Sequence, residues 1–335
     1  MIAGIGLVLL AAVLQGVFLL PMSRTRQWAW EHTWLAFSLA GMILCNWVLT
    51  WITLPAPTSL YIVVPIQELA ILAGFGLAWG GGAVLFGLGM DRLGLTLGYP
   101  VIMGLNASVG TIVPLIWLYG TSLLAGRRLF IVAGTAVAIA GIAVCSIAGA
   151  RRVSAAPRAQ GSSRSRFVTG LIIAVASGFL SCLPNIGLAF GTNTLRSAHN
   201  LGASTEFSGD SVWFIFFTFG GIVNVLYCCW LMIRHKTVGI LFSGGAANWL
   251  WALAMGAMWI GSFYLYGVGA AKLGTGGDTI GWPILISVSI AVGVLGGLGR
   301  GEWSHAPPKA RVLLLGGLGL IILAVLVIPF GMSSN

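Results

Sequence analysis

The sequence predicts an all-α integral membrane protein with ten transmembrane helices, arranged as two inverted five-helix repeats. Three observations predict it. The composition is 58% hydrophobic and only 7% charged, where a soluble globular chain carries roughly 25% charged residues. That is too little charge to cover a water-facing surface, which excludes a soluble enzyme, a nucleic-acid-binding domain and a disordered chain. Ten stretches of at least 21 residues contain no Asp, Glu, Lys or Arg, and a helix needs roughly 20 apolar residues to cross the hydrocarbon core. Finally, a motif near the end of the third stretch recurs at the end of the eighth, so the chain reads as a duplication of five spans.

The charge-free stretches are 1–23, 32–67, 69–90, 93–126, 129–150, 167–195, 211–233, 237–271, 279–299 and 312–335. The first has no basic residue ahead of its apolar run, and Arg24 and Arg26 follow it. It therefore reads as a helix rather than a signal peptide. The second span ends near residue 54, at the turn Pro55-Ala56-Pro57. The runs are continuously apolar instead of alternating, which excludes a porin-type barrel. The 49 glycines and 14 tryptophans suit close helix packing and interfacial aromatic belts.

Between the fifth and sixth spans lies 150–166, a basic, Ser-rich segment with no apolar period. It reads as a flexible cytoplasmic linker between a first repeat, 1–149, and a second, 167–335. Orientation follows from the loops. The odd-numbered loops carry 13 basic residues and the other face carries 4, namely Arg127, Arg128, Arg196 and Lys272. The positive-inside rule makes the odd loops cytoplasmic and both termini external. The same rule accounts for the net charge of +10 without a nucleic-acid partner. The expected setting is the inner membrane, multi-pass, with lipid as surroundings and a single copy of the chain.

Five spans per repeat is an odd number, so homologous halves must lie upside down relative to each other. Phe86-Gly87-Leu88-Gly89-Met90-Asp91-Arg92-Leu93-Gly94 aligns with Tyr266-Gly267-Val268-Gly269-Ala270-Ala271-Lys272-Leu273-Gly274. At the same offset Trp79 matches Trp259 and Gly81 matches Gly261; further on, Pro100 matches Pro283 and Val109-Gly110 matches Val292-Gly293. Inverted repeats are an architecture of secondary transporters, with substrate bound near the midplane. Gly80-Gly81-Gly82 and Gly274, Gly276 and Gly277 read either as hinges or as small-residue packing points.

The chemistry-bearing residues are few. Of seven acids, Asp91 and Glu302 sit beside Arg92 and Arg300 and read as solvated, and Glu206 falls in an outer loop. Glu31, Glu68, Asp210 and Asp278 lie at membrane edges, where an acid often marks a proton or ion route. First-turn stabilisation by the helix dipole, worth up to roughly 1 kcal/mol, explains Asp210 well, Glu31 less well amid Trp28, Trp30 and Trp34, and Asp278 only in part, while Glu68 lies beyond Pro65, several residues inside its span. Amides inside the spans include Gln15, Asn46, Asn106, Asn224 and Asn248, and amides pair with sugar hydroxyls or with neighbouring helices. Trp79, Trp259, Trp282, Tyr264 and Tyr266 are candidates to stack on a sugar face. The five cysteines lie in apolar runs with no C-x-x-C, and no metal or cofactor is expected. No nucleophile elbow or phosphate-binding loop occurs, so an enzyme is not expected.

Trp28-Ala29-Trp30-Glu31-His32-Thr33-Trp34 after Pro21, Trp79-Gly80-Gly81-Gly82 with its following glycines, and Asp278-Thr279-Ile280-Gly281-Trp282 together resemble the bacterial L-rhamnose–proton symporter family of the drug/metabolite transporter superfamily. The resemblance runs nearly end to end. It implies proton-driven import of L-rhamnose or a similar deoxyhexose across the inner membrane by alternating access. It raises Asp278 and Glu31 as proton-coupling residues and adds Asn248 and Trp259 to a sugar-binding set of Ser262, Tyr264, Tyr266, Trp79, Trp282 and Gln15. Ser262 stands where the family pattern has a larger amide and Ala247 where it has a histidine, departures that bear on which sugar is taken. The competing reading within the superfamily is an exporter or exchanger of another small metabolite. A membrane enzyme or a passive sensor would belong to a different class.

Overall fold

The computed structural model describes residues 2–119, 126, 129–154, 160–243, 245–273, 277–327 and 330. These are helical throughout, with turns and no strand among the described residues. We label the ten long helices α1 (Ile2–Val17), α2 (Trp30–Thr53), α3 (Ile66–Leu93), α4 (Leu95–Tyr119), α5 (Leu129–Ser154), α6 (Gln160–Leu180), α7 (Asp210–His235), α8 (Ala246–Leu273), α9 (Gly277–Gly299) and α10 (Pro308–Val327). Short helices Pro57–Val63, Leu183–Phe190, Thr192–Asn200 and Ile240–Ser243 lie in the connections. Among the described residues six helical segments are long and apolar enough to cross a bilayer: Ile2–Arg24, Trp30–Thr53, Ile66–Leu93, Val132–Arg152, Asp210–His235 and Ala246–Leu273. Leu95–Val109 and Ile284–Gly299 are shorter apolar helices. The chain is a multi-pass membrane protein.

The basic segment 150–166 is helical on both flanks. Residues 150–154 extend α5 and 160–166 open α6. Arg151 and Arg152 fall in the last turn of α5, where cations complement the negative end of the helix dipole. Residues 155–159, with Arg158, lie outside the described residues, as do Arg127, Arg128, Gly274, Gly276 and the extreme C-terminus.

Two compact units form, and each takes segments from both halves of the sequence. The first comprises Met1–Val84 and Leu183–Gly277, the second Leu85–Cys182 and Asp278–Asn335. Glycines set the helix crossings in both. In the first unit a Cβ on Gly41 would lie 2.9 Å from the Cα of Gly256, one on Gly4 would lie 2.9 Å from the Gly269 carbonyl, and one on Gly80 would lie 2.6 Å from the Gly220 carbonyl. Backbone meets backbone at these points, so α1 and α2 seat on α8, and α3 on α7, only because no side chain intervenes. Gly80 is therefore a packing point, while Gly81 and Gly261 have open space around them. The Gly41 contact lies in a π-helical turn, Leu39–Cys45, inside α2.

In the second unit α5 packs along α10, with Gly141 against the Gly317 carbonyl at 2.8 Å from a built Cβ. Gly94, between α3 and α4, adopts φ +79°, a conformation that costs glycine little. The sharp turn brings the first amides of α4 to Glu302, whose carboxylate accepts from Leu95 N at 3.1 Å and Thr96 N at 3.0 Å. Glu302, expected from the sequence to be solvated beside Arg300, is instead a cap on the start of α4. Asp91 does sit at the surface, 3.3 Å from the Arg166 guanidinium with both side chains about half exposed, a pairing of small energetic weight.

Candidate functional site

The first unit holds most of the residues singled out from the sequence. α2 and α7 run antiparallel: Glu31 at the start of α2 meets His235 at the end of α7, with Nδ1 2.9 Å from Oε1, and the end of α2 meets the start of α7. α8 packs on α2 and α3 on α7 through the glycine contacts. Where these helices meet, Trp79 and Trp259 stack with ring centroids 5.8 Å apart and planes 24° apart. Phe37, Phe217 and Phe263 close around Trp259 at 5.9, 4.9 and 5.4 Å. Both tryptophans are buried, and their faces are covered largely by one another and by phenylalanines.

Beside this cluster the Ser262 hydroxyl reaches the Gln15 carbonyl oxygen and also lies 2.7 Å from the Trp259 carbonyl. Its one proton serves one acceptor at a time. Tyr264 OH lies 3.3 Å from Thr50 Oγ1. Tyr266 is buried in the same helix. Trp282 belongs to the second unit. Asp278 is in the first turn of α9, and its side chain lies outside the described residues.

The end of the unit where α2 begins is tied down by backbone-directed bonds. The Asn248 amide takes both partners from Arg26: Oδ1 accepts from its N–H at 3.0 Å and Nδ2 donates to its carbonyl at 2.8 Å. Trp28 Nε1 donates to the Ile240 carbonyl at 3.2 Å. His32 Nδ1 accepts from Ala29 N at 3.2 Å, which leaves Nε2 to donate to the Thr237 carbonyl at 2.9 Å. Deeper in, Asn224 accepts from Trp34 Nε1 at 2.8 Å and donates to the carbonyls of Gly80 and Gly220 at 3.1 and 2.8 Å. It cross-links α2, α3 and α7 at their closest approach.

The edge acids differ sharply in their partners. Glu68 accepts four bonds at the start of the helix Thr192–Asn200: from Thr194 N and Oγ1 at 2.7 and 2.6 Å, and from Asn193 Nδ2 and N at 2.8 and 3.3 Å. A carboxylate so placed satisfies orphan helix donors. Glu68→Ala is expected to destabilise the protein by about 1–3 kcal/mol, read as a lower melting temperature of the detergent-purified chain. An unchanged melting temperature would contradict the capping role.

Asp210, in the first turn of α7, has no such set of donors. Its residue is 1% exposed, and Oδ2 has no hydrogen-bond partner. Thr53 lies beside the carboxyl, yet its hydroxyl too makes no hydrogen bond of good geometry. Asn46, Thr50 and Thr53 share one face of α2 at i, i+4 and i+7, with Thr53 at the Asp210 end. Asn46 Nδ2 reaches the Phe214 carbonyl of α7 at 3.4 Å, and its Oδ1 is unpaired. Trp213 Nε1, one turn along α7, is unpaired as well. Thr50 Oγ1 donates to the Asn46 carbonyl at 2.8 Å, so Tyr264 OH is the donor to Thr50. Tyr61 OH donates to the Ser211 carbonyl at 3.0 Å, and burial pushes its phenol well above the ordinary range, with Tyr264 and Asp210 adding to the shift. Both phenolic protons are thus committed away from Asp210.

Of these residues the sequence singled out Asp210 as an edge acid and Asn46 as an amide inside a span, but not Thr50, Thr53, Tyr61 or Trp213. The polar i, i+4, i+7 pattern in an apolar span was the available signal. By contrast, an apolar groove of about 860 Å³ lined by Leu39, Ile43, Trp47, Trp249, Leu250 and Leu253 offers almost no polar atoms and cannot orient a sugar. Among the described residues no group of His, Cys, Asp and Glu could hold a metal.

Comparison with known proteins gives one consistent result. The L-rhamnose-proton symport protein family (RhaT) matches residues 1–334. Relatives named L-rhamnose-proton symporter, from Yersinia pestis (strain Pestoides F) and Yersinia pseudotuberculosis serotype O:1b (strain IP 31758), are 27% identical over 344 aligned positions, covering 97% of this chain and 96% of theirs. No solved structure matches significantly. These relatives are transporters and not enzymes. With the family's match running from residue 1 to residue 334, the chain belongs to the L-rhamnose-proton symport protein family.

Proposed function

We propose that the protein imports L-rhamnose or a similar deoxyhexose with protons across the inner membrane, by alternating access of two inverted five-helix repeats. The observation that carries this reading beyond family membership is a cluster of buried polar side chains between α2, α7 and α8, several of them without hydrogen-bond partners, in an otherwise apolar interior. Buried polar atoms without partners are costly; a polyhydroxylated ring supplies such partners. Tyr264 and Thr50 join Asn46 and Thr53 as hydroxyl-binding groups. Trp259 and Trp79, stacked on each other and enclosed by phenylalanines, hold the helices beside that cluster, with Ser262 and Gln15 next to them. Asn248 and Tyr266 hold the surrounding helices.

Support for the inverted repeat comes from pairs of contacts. Glu31-x-x-Trp34-x-x-Phe37-x-x-x-Gly41 in α2 matches Asp210-x-x-Trp213-x-x-Phe216-x-x-x-Gly220 in α7, 179 positions on. Gly76 and Trp79 in α3 match Gly256 and Trp259 in α8, 180 positions on. Gly256 packs on Gly41 of α2, and Gly76 packs on Phe216 and Gly220 of α7. Each member of one repeat thus meets the corresponding member of the other. The stacked tryptophans are themselves a matched pair, as expected on a pseudo-twofold axis in the membrane plane.

The test is uptake of labelled L-rhamnose into proteoliposomes, with and without an inward proton gradient. Concentrative uptake that collapses when a protonophore dissipates the gradient is expected. Uptake unaffected by the gradient, or efflux of an unrelated metabolite in its place, would favour an exchanger or exporter.

A further inference from the structure

The geometry points to Asp210 as the carboxyl that carries the coupled proton, with Glu31 as its repeat-related counterpart at the opposite end of the α2–α7 pair. This assignment rests on the symporter reading above. Of the edge acids, the Asp278 side chain lies outside the described residues; among the other three, Glu68 has all its donors and Glu31 has a histidine. Asp210 is enclosed, makes no ion pair among the described residues, and keeps one oxygen unpartnered. The titratable groups facing it are Tyr61 from the helix Pro57–Val63 and Tyr264 from α8. α2 presents only the neutral Thr53. No described Lys, Arg or His offsets its charge.

Those surroundings make a two-position switch. Enclosing a carboxylate without a counter-charge is expensive, whereas the same group carrying its proton needs only one acceptor. Thr53 Oγ1, beside the carboxyl and without a hydrogen-bond partner, is available to receive that proton's hydrogen bond. Opening the start of α7 to water reverses the preference, because the positive end of the helix dipole and the solvent then stabilise the charged form. On the symporter reading, sugar bound to the polar side chains of the same helices favours the neutral carboxyl, so the occupied, neutral state is the one that can close. Coupling requires two ligands to bias one equilibrium.

Glu31 occupies the matching position at the other end of the antiparallel pair. Its side chain is 8% exposed, and its partner His235 is half exposed. The two acids thus occupy unlike states in a single conformation, one buried and unpaired, the other paired with a group that reaches the surface. Alternation would exchange these roles.

Three reconstituted proteins test the assignment: the wild type, Asp210→Asn and Asp210→Glu. Two readouts are taken, gradient-driven accumulation of L-rhamnose and exchange of labelled for unlabelled L-rhamnose at several pH values. Asp210→Asn is expected to lose accumulation at least tenfold while still exchanging sugar, at a rate that no longer varies with pH. Asp210→Glu is expected to recover part of the accumulation, which a merely structural side chain would not do. Full accumulation by Asp210→Asn beside an active wild type overturns the assignment. A wild type that fails to concentrate rhamnose overturns the symporter reading and the assignment with it. Should Asp210→Asn not fold, wild-type protein treated with dicyclohexylcarbodiimide, which adds to protonated carboxyls, is mapped by peptide mass. An adduct at Asp210 is expected; adducts confined to other carboxyls overturn the proposal.

Discussion

Gly256→Leu is expected to abolish recovery of folded protein from the membrane. A Cβ at this position would lie 2.5 Å from the backbone nitrogen of Gly41 and 2.9 Å from the Ala40 Cβ. No flexible side chain stands there to move aside, so α2 and α8 would have to separate along their whole contact. Overpacking costs typically about 1–3 kcal/mol where a core can relax, and a leucine between two backbones is a worse case. Gly256→Ala should remain measurable and lower the melting temperature in detergent. Gly261→Ala, five residues on in the same helix with nothing within 4 Å of its Cβ position, should be neutral or gain roughly 0.5–1 kcal/mol through helix propensity. Size-exclusion profiles and thermal unfolding of the three variants check the expectation. A well-behaved Gly256→Leu protein would mean that the α2–α8 crossing is not as described.

Trp259→Ala carries the second large effect, and the structure changes what that effect is. From the sequence, the ring was expected to stack on sugar, so its loss should have weakened binding more than stability. In the folded chain the ring is 5% exposed and touches Trp79, Phe37, Phe217 and Phe263. Removing a buried aromatic of this kind costs about 3–5 kcal/mol. Stability and rhamnose affinity should therefore fall together. A double-mutant cycle with Trp79→Ala should show a coupling of about 0.5–1.5 kcal/mol in stability. Affinity lost with the melting temperature intact would return Trp259 to a purely sugar-facing role.

The contrast between Glu68 and Asp210 shows where the sequence stops being informative. Both are acids at the start of a long apolar stretch, and local pattern treats them alike. The donors that engage Glu68 come from Asn193 and Thr194, more than a hundred residues away, and only the packed chain brings them there. Asn248 teaches the same point in reverse: read as a sugar amide, it has both ends engaged by the Arg26 backbone.

The sequence by itself determined that the chain is a multi-pass helical membrane protein, because 7% charge cannot clothe a soluble surface and each long apolar run must satisfy its own backbone within a helix. It also singled out Trp79 and Trp259 as a pair at a fixed offset, which the structure stacks on each other. Tertiary structure alone decided which acid is satisfied and which is enclosed without a partner, and which glycine is a crossing point and which has open space. Those properties belong to groups distant in sequence, and burial and hydrogen bonding exist only once those groups meet.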